Sequence, residues 1–236
     1  MHSAPSLADL ASAVDELLHT ADFPDDPPTI FRATSRPVRR MGLALAPDAA
    51  LAASVREHAL DALFLHRPWG AEADLPPDVG ILCSHAAFDA RLTLGANPQL
   101  AAALGLTGVQ PFGEHRGRPV GMIGDASPAD AEAWRARLVE EFGGVEEAAV
   151  PSGASIIHRV ALVGAMTDAL VRAAAEHGAG LYVTGQMRAP ARRAVAESGI
   201  AAIAIGHRRS EEHALGLLAA LLASRFPGLQ TFTPLA

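Results

Sequence analysis

The stretch IAAIAIGHRRSEEH, residues 200–213, changes character at Gly206. The six residues before this glycine are apolar, and a short apolar run of that length predicts a buried strand. The seven residues after it are two histidines, two arginines, two glutamates and a serine. Because Ser210 is a favoured N-cap residue, a final helix is predicted over about 211–224. The stretch therefore predicts a core strand whose carboxyl end carries side chains that can bind a metal.

Apolar runs and helical patterns alternate along the rest of the chain. An amphipathic helix with Ser6 as its N-cap begins the sequence, and a helix over 127–144 is expected to start with Ser127 as N-cap and Pro128 in its first turn. The other predicted helices cover 48–59, 97–106, 166–178 and 190–199. Strands are predicted at 39–46, 60–65, 79–84, 117–124, 159–164 and 180–185. This alternation indicates an α/β fold.

The composition excludes several kinds of site. Half of the 236 residues are apolar, which is enough for one large domain or two small lobes. All 19 basic residues are arginines, so a Schiff-base lysine and a P-loop lysine are both excluded. Cys83 is the single cysteine, which excludes an intramolecular disulfide and a cysteine-based zinc site.

The sequence also bears on compartment and partners. It contains no uninterrupted apolar run of about 18 residues, so no membrane association is expected. The first residues carry Asp9, Asp15 and Glu16 where a signal peptide would need an apolar run, and a cytoplasmic location is predicted. A net charge of −7 does not favour indiscriminate binding of nucleic acid, although a local basic patch stays compatible with it.

Histidines and carboxylates follow three of the predicted strands. His66 follows the strand at 60–65, His85 and Asp89 follow the strand at 79–84, and His207 and Glu211 follow the strand quoted above. Open α/β sheets bind ligands at the carboxyl ends of their strands. Imidazoles and carboxylates without a thiolate suit Zn²⁺, Fe²⁺ or Mn²⁺. The alternative, which stays open, is that these histidines are ordinary surface or hydrogen-bonding residues.

Five stretches of the sequence resemble one known family. They are LFLHRP (63–68), SHAAFDA (84–90), LTLGANPQLAAALGL (92–106), YVTGQ (182–186) and AIGHRRSEE (204–212). Their order and spacing are similar to those of the GTP cyclohydrolase 1 type 2 homologues, also called Nif-three-like proteins, from about residue 38 onwards. The resemblance implies one two-lobed α/β unit over 1–236, with mixed sheets flanked by helices and the metal site at the carboxyl ends of strands. The lobes are predicted to be 1–125 with 207–236, and 126–206.

The resemblance also implies the cofactors, the ligands and the assembly. Family members form a toroidal homohexamer with two divalent metals in each subunit. Carried over by position, His66, His207 and Glu211 hold one metal. Asp89 and Glu211 hold the other, with Glu211 bridging the two, and His85 is a near neighbour or an additional ligand.

The sequence departs from the family pattern at three places. Arg67 stands where the family has a second histidine, and Gln186 stands where it has a glutamate. The segment 24–28 lacks the family's Asp-Asn-x-Gly pattern. The first departure matters most, because an arginine side chain stays protonated and cannot bind a cation.

Two interpretations of Arg67 remain open. Its guanidinium can lie against Asp89 or Glu211 and replace the second metal with a fixed positive charge, which leaves one metal per subunit. Alternatively, Arg67 faces solvent and His85 supplies the missing ligand, which preserves both metals.

The predicted function is a metal-dependent hydrolase that acts on a nucleotide or another phosphate-containing substrate. The first alternative is a ring that binds single-stranded DNA. Arg188 and Arg192 are expected on one face of one helix, at i, i+4 spacing, and Arg208 follows the candidate ligand His207. Stacking aromatics are scarce, at 5% of residues. The second alternative is a metal-binding scaffold without enzymatic activity.

Overall fold

The structure is a computed structural model that describes residues 4–71, 75–115, 117–152 and 155–233. Its helices are α1 (Leu7–Leu18), α2 (Leu51–Glu57), α3 (Ala86–Leu92), α4 (Pro98–Ala103), α5 (Ala131–Phe142), α6 (Asp168–Glu176), α7 (Ala189–Ser198) and α8 (His207–Arg225), with a short 3₁₀ helix at Thr20–Asp22. Its strands are β1 (Ile30–Arg32), β2 (Arg40–Ala44), β3 (Ala62–Leu65), β4 (Gly80–Cys83), β5 (Thr107–His115), β6 (Arg118–Ala129), β7 (Glu147–Ala149), β8 (Ile157–Val163), β9 (Leu181–Thr184), β10 (Ala201–Ala204) and β11 (Gln230–Phe232).

The contacts between residues divide the chain into two compact units. The first unit is Met1–Phe88 together with Glu212–Ala236, and the second is Asp89–Glu211. Residues 89–125 belong to the second unit by their contacts, whereas the lobes inferred from the sequence place them in the first.

The first unit contains a five-stranded sheet in the order β1-β4-β3-β2-β11. Its four strands β4, β3, β2 and β11 run parallel, and β1 pairs with β4 in the antiparallel direction. Every residue of β3 and β4 is buried. Strands that are covered on both faces need apolar side chains at every position. This requirement explains why continuous apolar runs, and not alternating ones, predicted both strands.

The second unit contains a six-stranded sheet in the order β5-β6-β8-β9-β10-β7. Strands β8, β9 and β10 are parallel, and the other pairs are antiparallel. Val160 and Leu162 of β8 pack in one cluster with Trp134 of α5. The alternate residues of β8, such as Ala161, pack in a second cluster with residues of α6 and α7, including Val171. The prediction of an α/β fold with mixed sheets flanked by helices is confirmed.

The structure confirms one of the predicted N-cap residues and corrects another. Ser6 caps α1 as predicted, because its hydroxyl accepts from the Asp9 N–H at 3.1 Å and Asp9 Oδ2 accepts from the Ser6 N–H at 2.8 Å. The prediction of Ser127 as N-cap of the next long helix is wrong. Ser127 lies in β6, and α5 is capped by Asp130, whose Oδ1 accepts from the Ala133 N–H at 2.8 Å.

The predicted start of the last helix is also wrong. Helix α8 begins at His207, and the Ser210 N–H already donates to the Gly206 carbonyl at 3.0 Å. Ser210 therefore lies inside the first turn, where its hydroxyl donates to the His207 carbonyl at 2.7 Å. Gly206 has φ of +106°, a backbone conformation that favours glycine, and this turn lets the helix start directly after β10.

Candidate metal centre

His66 follows β3 and is completely buried. Its Nδ1 lies 3.1 Å from the Ser84 carbonyl oxygen. A carbonyl oxygen only accepts hydrogen bonds, so Nδ1 carries the proton and donates. In the neutral form of the ring the lone pair then lies on Nε2, the atom that can bind a metal. A backbone carbonyl that fixes the tautomer of a histidine in this way is a common feature of metal-binding histidines.

His85 is positioned by the carboxylate of Asp26. This carboxylate accepts hydrogen bonds from the backbone N–H groups of His85, Ala86 and Ala87, at 3.1, 2.9 and 3.1 Å. The three donors form the start of α3, where an anion is stabilised by the orphan N–H groups and by the helix dipole. Asp26 therefore caps a helix that follows it by about 60 residues.

Sequence reasoning missed Asp26. The segment around it, FPDDPPTIF, is turn-rich in the sequence and lacks a family pattern, and neither feature points to its two carboxylates as helix caps. A cap is normally sought immediately before its helix, and α3 is preceded there by His85. The sequence contains no local pattern that links the two segments.

His66, His85 and Asp89 form a group of potential metal ligands. One ligand atom from each residue lies within 4.8 Å of the other two. The rings of His66 and His85 are stacked, with centroids 4.8 Å apart and planes at 28°. Asp89 lies on α3, about one helical turn beyond His85, which directly precedes this helix. Both residues are partly buried. The structure thus brings together three side chains that the sequence predicted as ligands.

The donor set of this group fits a divalent transition metal. Two imidazoles and one carboxylate are a set that Zn²⁺, Fe²⁺ and Mn²⁺ accept, and three protein ligands leave further coordination positions for water or substrate. The contact of His66 Nδ1 with the Ser84 carbonyl leaves Nε2 as the nitrogen of the neutral ring that can bind the cation. Held there, a cation would have His66, His85 and Asp89 as its ligands.

His207 and Glu211 form a pair in the first turns of α8. His207 Nε2 lies 3.1 Å from Glu211 Oε1, and the side chain of Glu211 is 2% exposed whereas that of His207 is 62% exposed. The i, i+4 spacing on a helix explains this contact. Their assignment to the same centre as His66, with Glu211 as a bridging ligand, stays a prediction.

The positions that depart from the family pattern lie near strand ends. The Arg67 N–H donates to the Leu45 carbonyl at 2.7 Å, and the residue is partly buried. Gln186 is exposed, two residues after the end of β9. Both interpretations of the Arg67 side chain stay predictions.

The structure changes the predicted placement of the arginines that the nucleic-acid alternative depends on. Helix α7 begins at Ala189 and Arg188 is its extended N-cap residue, so the expectation that Arg188 and Arg192 share one helical face is wrong. Arg192 binds Glu147 with both guanidinium Nη atoms, one of them at 2.8 Å. This hydrogen bonding lowers the pKa of Glu147 and raises the pKa of Arg192. Arg208 is exposed in the first turn of α8.

The fold and the site define a class: an α/β protein of two units with a candidate centre made of histidine and carboxylate side chains. The family model of Duf34/NIF3 (NGG1p interacting factor 3) matches residues 72–234. Because this match covers more than half of the sequence, the chain belongs to the Duf34/NIF3 family.

Individual relatives agree with this assignment. A GTP cyclohydrolase 1 type 2 homolog of Pseudomonas aeruginosa is 26% identical, and the match covers 94% of each chain. One from Pyrococcus abyssi is 27% identical, over 94% of this chain and 95% of the relative. The solved structure of a Bacillus cereus protein related to NIF3 matches with a TM-score of 0.74 at 14% identity, covering 99% of this chain and 97% of that one. The last match shows a shared fold.

Among the residues that the structure describes, none of the helices combines the length and the apolar composition needed to cross a bilayer.

Proposed function

We propose that the chain binds a divalent transition metal, Zn²⁺, Fe²⁺ or Mn²⁺, through His66, His85 and Asp89, and that it is a metal-dependent hydrolase of a nucleotide or another phosphate-containing substrate. The observation that carries the proposal is the convergence of these three side chains, with ligand atoms within 4.8 Å of one another. The relatives named GTP cyclohydrolase 1 type 2 homolog support a nucleotide as substrate.

The chemistry of the group supports hydrolysis. A divalent cation in such a site supplies Lewis acidity, which lowers the pKa of a bound water and polarises a phosphoryl or carbonyl oxygen. The protein contributes rigid positioning. The Ser84 carbonyl holds the His66 ring, and Asp26 holds the backbone that carries His85. Ligands held in this way lose little conformational entropy on binding the cation.

The test is elemental analysis of the purified protein, with the metal counted per chain. We expect His85→Ala and Asp89→Asn to lower the metal content strongly, because each removes one of three ligands. His158→Ala is a matched control, since this histidine is exposed on β8 in the second unit. Equal metal content in all four proteins would contradict the metal site.

Arg67→His separates the two interpretations of that residue. If the guanidinium replaces a second metal, the wild type binds one equivalent and the variant gains another. Two tight equivalents in the wild type would overturn this interpretation.

The hydrolase part of the proposal is tested separately. The metal-loaded wild type is expected to turn over at least one member of a panel of nucleotides, phosphodiesters and cyclic amides, and Asp89→Asn is expected to lose that activity. A protein that binds metal but turns over nothing in this panel would be a metal-binding scaffold. The ring that binds single-stranded DNA stays a prediction, and the pairing of Arg192 with Glu147 offsets one of its charges. The toroidal homohexamer likewise stays a prediction.

A further inference from the structure

Trp69 is an exposed aromatic side chain beside the candidate metal group. It is 59% exposed, the highest value among the large apolar side chains that are exposed in the described part of the chain. Its ring meets the His85 ring edge-on, with centroids 5.8 Å apart and planes at 73°. His85 in turn stacks on His66. An indole that is open to water and touches a candidate metal ligand offers an aromatic surface to a molecule bound at that group.

The backbone holds Trp69 in a defined turn. The Ala71 N–H donates to the Pro68 carbonyl at 3.0 Å, which closes a four-residue turn with Trp69 at its second position. Gly70 at the third position has φ of +86°, as a type II turn requires. Pro68 is buried and anchors the turn. The indole is therefore presented by a fixed turn, three residues after His66.

We propose that Trp69 is a stacking platform for the planar base of a nucleotide whose phosphate reaches the metal group. This inference rests on the proposed function and narrows its substrate class to compounds with an aromatic heterocycle. Stacking on an indole suits such a ring because every nucleobase has a π face, and the contact needs no enclosing pocket. A cavity of about 360 Å³ in the first unit is lined by residues between Asp15 and Thr29 and does not include Trp69.

The two tryptophans of the chain make this proposal directly measurable. Trp134 is completely buried in the core of the second unit, so quenching by an added ligand reports on Trp69. We expect GMP and AMP to quench the fluorescence of the metal-loaded wild type in a saturable way, and ribose 5-phosphate to leave it unchanged. Acrylamide is expected to quench Trp69 in the protein without nucleotide.

Calorimetry on variants supplies the second measurement. Trp69→Leu is expected to weaken nucleotide binding about 5- to 150-fold, the range found when a base loses an aromatic partner, and to leave binding of ribose 5-phosphate unchanged. Trp69→Phe retains an aromatic ring, so its affinity for nucleotide is expected to lie between those of the wild type and Trp69→Leu. Ile156→Ala is the matched control, because this side chain is 51% exposed in the second unit, and it should bind nucleotide like the wild type.

Three results would overturn the proposal: no quenching by nucleotides, equal nucleotide affinity of Trp69→Leu and the wild type, or protection of Trp69 from acrylamide by a second copy of the chain. The metal count distinguishes this failure from failure of the proposed function. A wild type that binds metal but shows no nucleotide quenching refutes the stacking platform alone. A wild type that binds no metal while nucleotides still quench Trp69 refutes the metal site and the placement of the phosphate on it, and it supports the stacking of the base on Trp69.

Discussion

Replacing Asp26 with alanine tests how the candidate site is held in place. The change removes a carboxylate that accepts three backbone hydrogen bonds at the start of α3. Loss of a helix N-cap costs about 0.5–2 kcal/mol, and a hydrogen bond to a charged group contributes about 1.5–3 kcal/mol. Asp26 is partly buried, so water replaces part of the loss. We expect the free energy of unfolding to fall by about 2–4 kcal/mol, which lowers the thermal midpoint by about 4–16 °C in a chain of this size.

The same substitution should weaken metal binding, because α3 carries Asp89 and is preceded by His85. The assay is a titration of the folded protein with Co²⁺, followed by its absorbance, together with the thermal midpoint. Asp26→Asn keeps one acceptor oxygen without the charge and should give an intermediate result. Asp25→Ala is the matched control, since Asp25 is the adjacent residue and is exposed. If Asp26→Ala behaves like Asp25→Ala in both measurements, the carboxylate does not hold the start of the helix.

Four further predictions concern residues other than the candidate ligands. Burial raises the pKa of Cys83 to about 12, so at pH 8 only about one thiol in ten thousand is ionised; stoichiometric alkylation of the folded protein within minutes would contradict this burial. A Cβ at Gly206 would lie 2.8 Å from Glu146 Oε1 at a φ of +106°, so Gly206→Ala should cost about 1–3 kcal/mol in a denaturant titration. Gly216 lies within α8, and an added Cβ there would have no atom within 4 Å. Gly216→Ala should therefore raise the free energy of unfolding by about 0.5–1 kcal/mol. Hydrogen bonds from the N-cap serine lower the pKa of Asp9 from 3.8, so its stabilising effect is present above that pH and is lost as the pH falls; Asp9→Asn should lower the thermal midpoint at about pH 7, and its difference from the wild type should shrink as the pH falls below 3.8.

The buried strands could be predicted from the sequence because burial on both faces leaves a continuous apolar run. Strand β5 was missed for the opposite reason. It is an edge strand that is exposed at most of its nine positions, and it contains Gly108, Pro111 and Gly113. Neither alternation nor an apolar run marks such a strand. Its partner β6 fixes it through antiparallel pairing, which is a tertiary effect.

The misplaced cap at Ser127 has a comparable cause. Ser-Pro is a favourable helix start by local criteria, but the pairing of β6 with β8 extends to Ala129. The register shifts between Asp125 and Ala129, and a proline is tolerated at such an irregularity of a strand. Asp130 then provides an equally good cap three residues later.

The candidate site was predictable to the extent that it depends on strand ends. His66, His85 and Asp89 were identified because ligands collect at the carboxyl ends of parallel strands, and the structure does bring them together. Two features of their surroundings could not be predicted from the sequence. Asp26 acts across about 60 residues of sequence, and the exposure of Trp69 depends on how the turn after His66 projects its side chain.

The discontinuity of the first unit has a consequence for the order of events during synthesis. Strand β2, near the beginning of the chain, pairs with β11, near its end. The second unit is contiguous from Asp89 to Glu211, so all of its strands are synthesised before β11. Since domains fold as units during translation, the second unit can reach its native structure first. The edge of β2 that pairs with β11 stays unpaired until β11 has been synthesised. Until then it is open to pairing with a wrong strand.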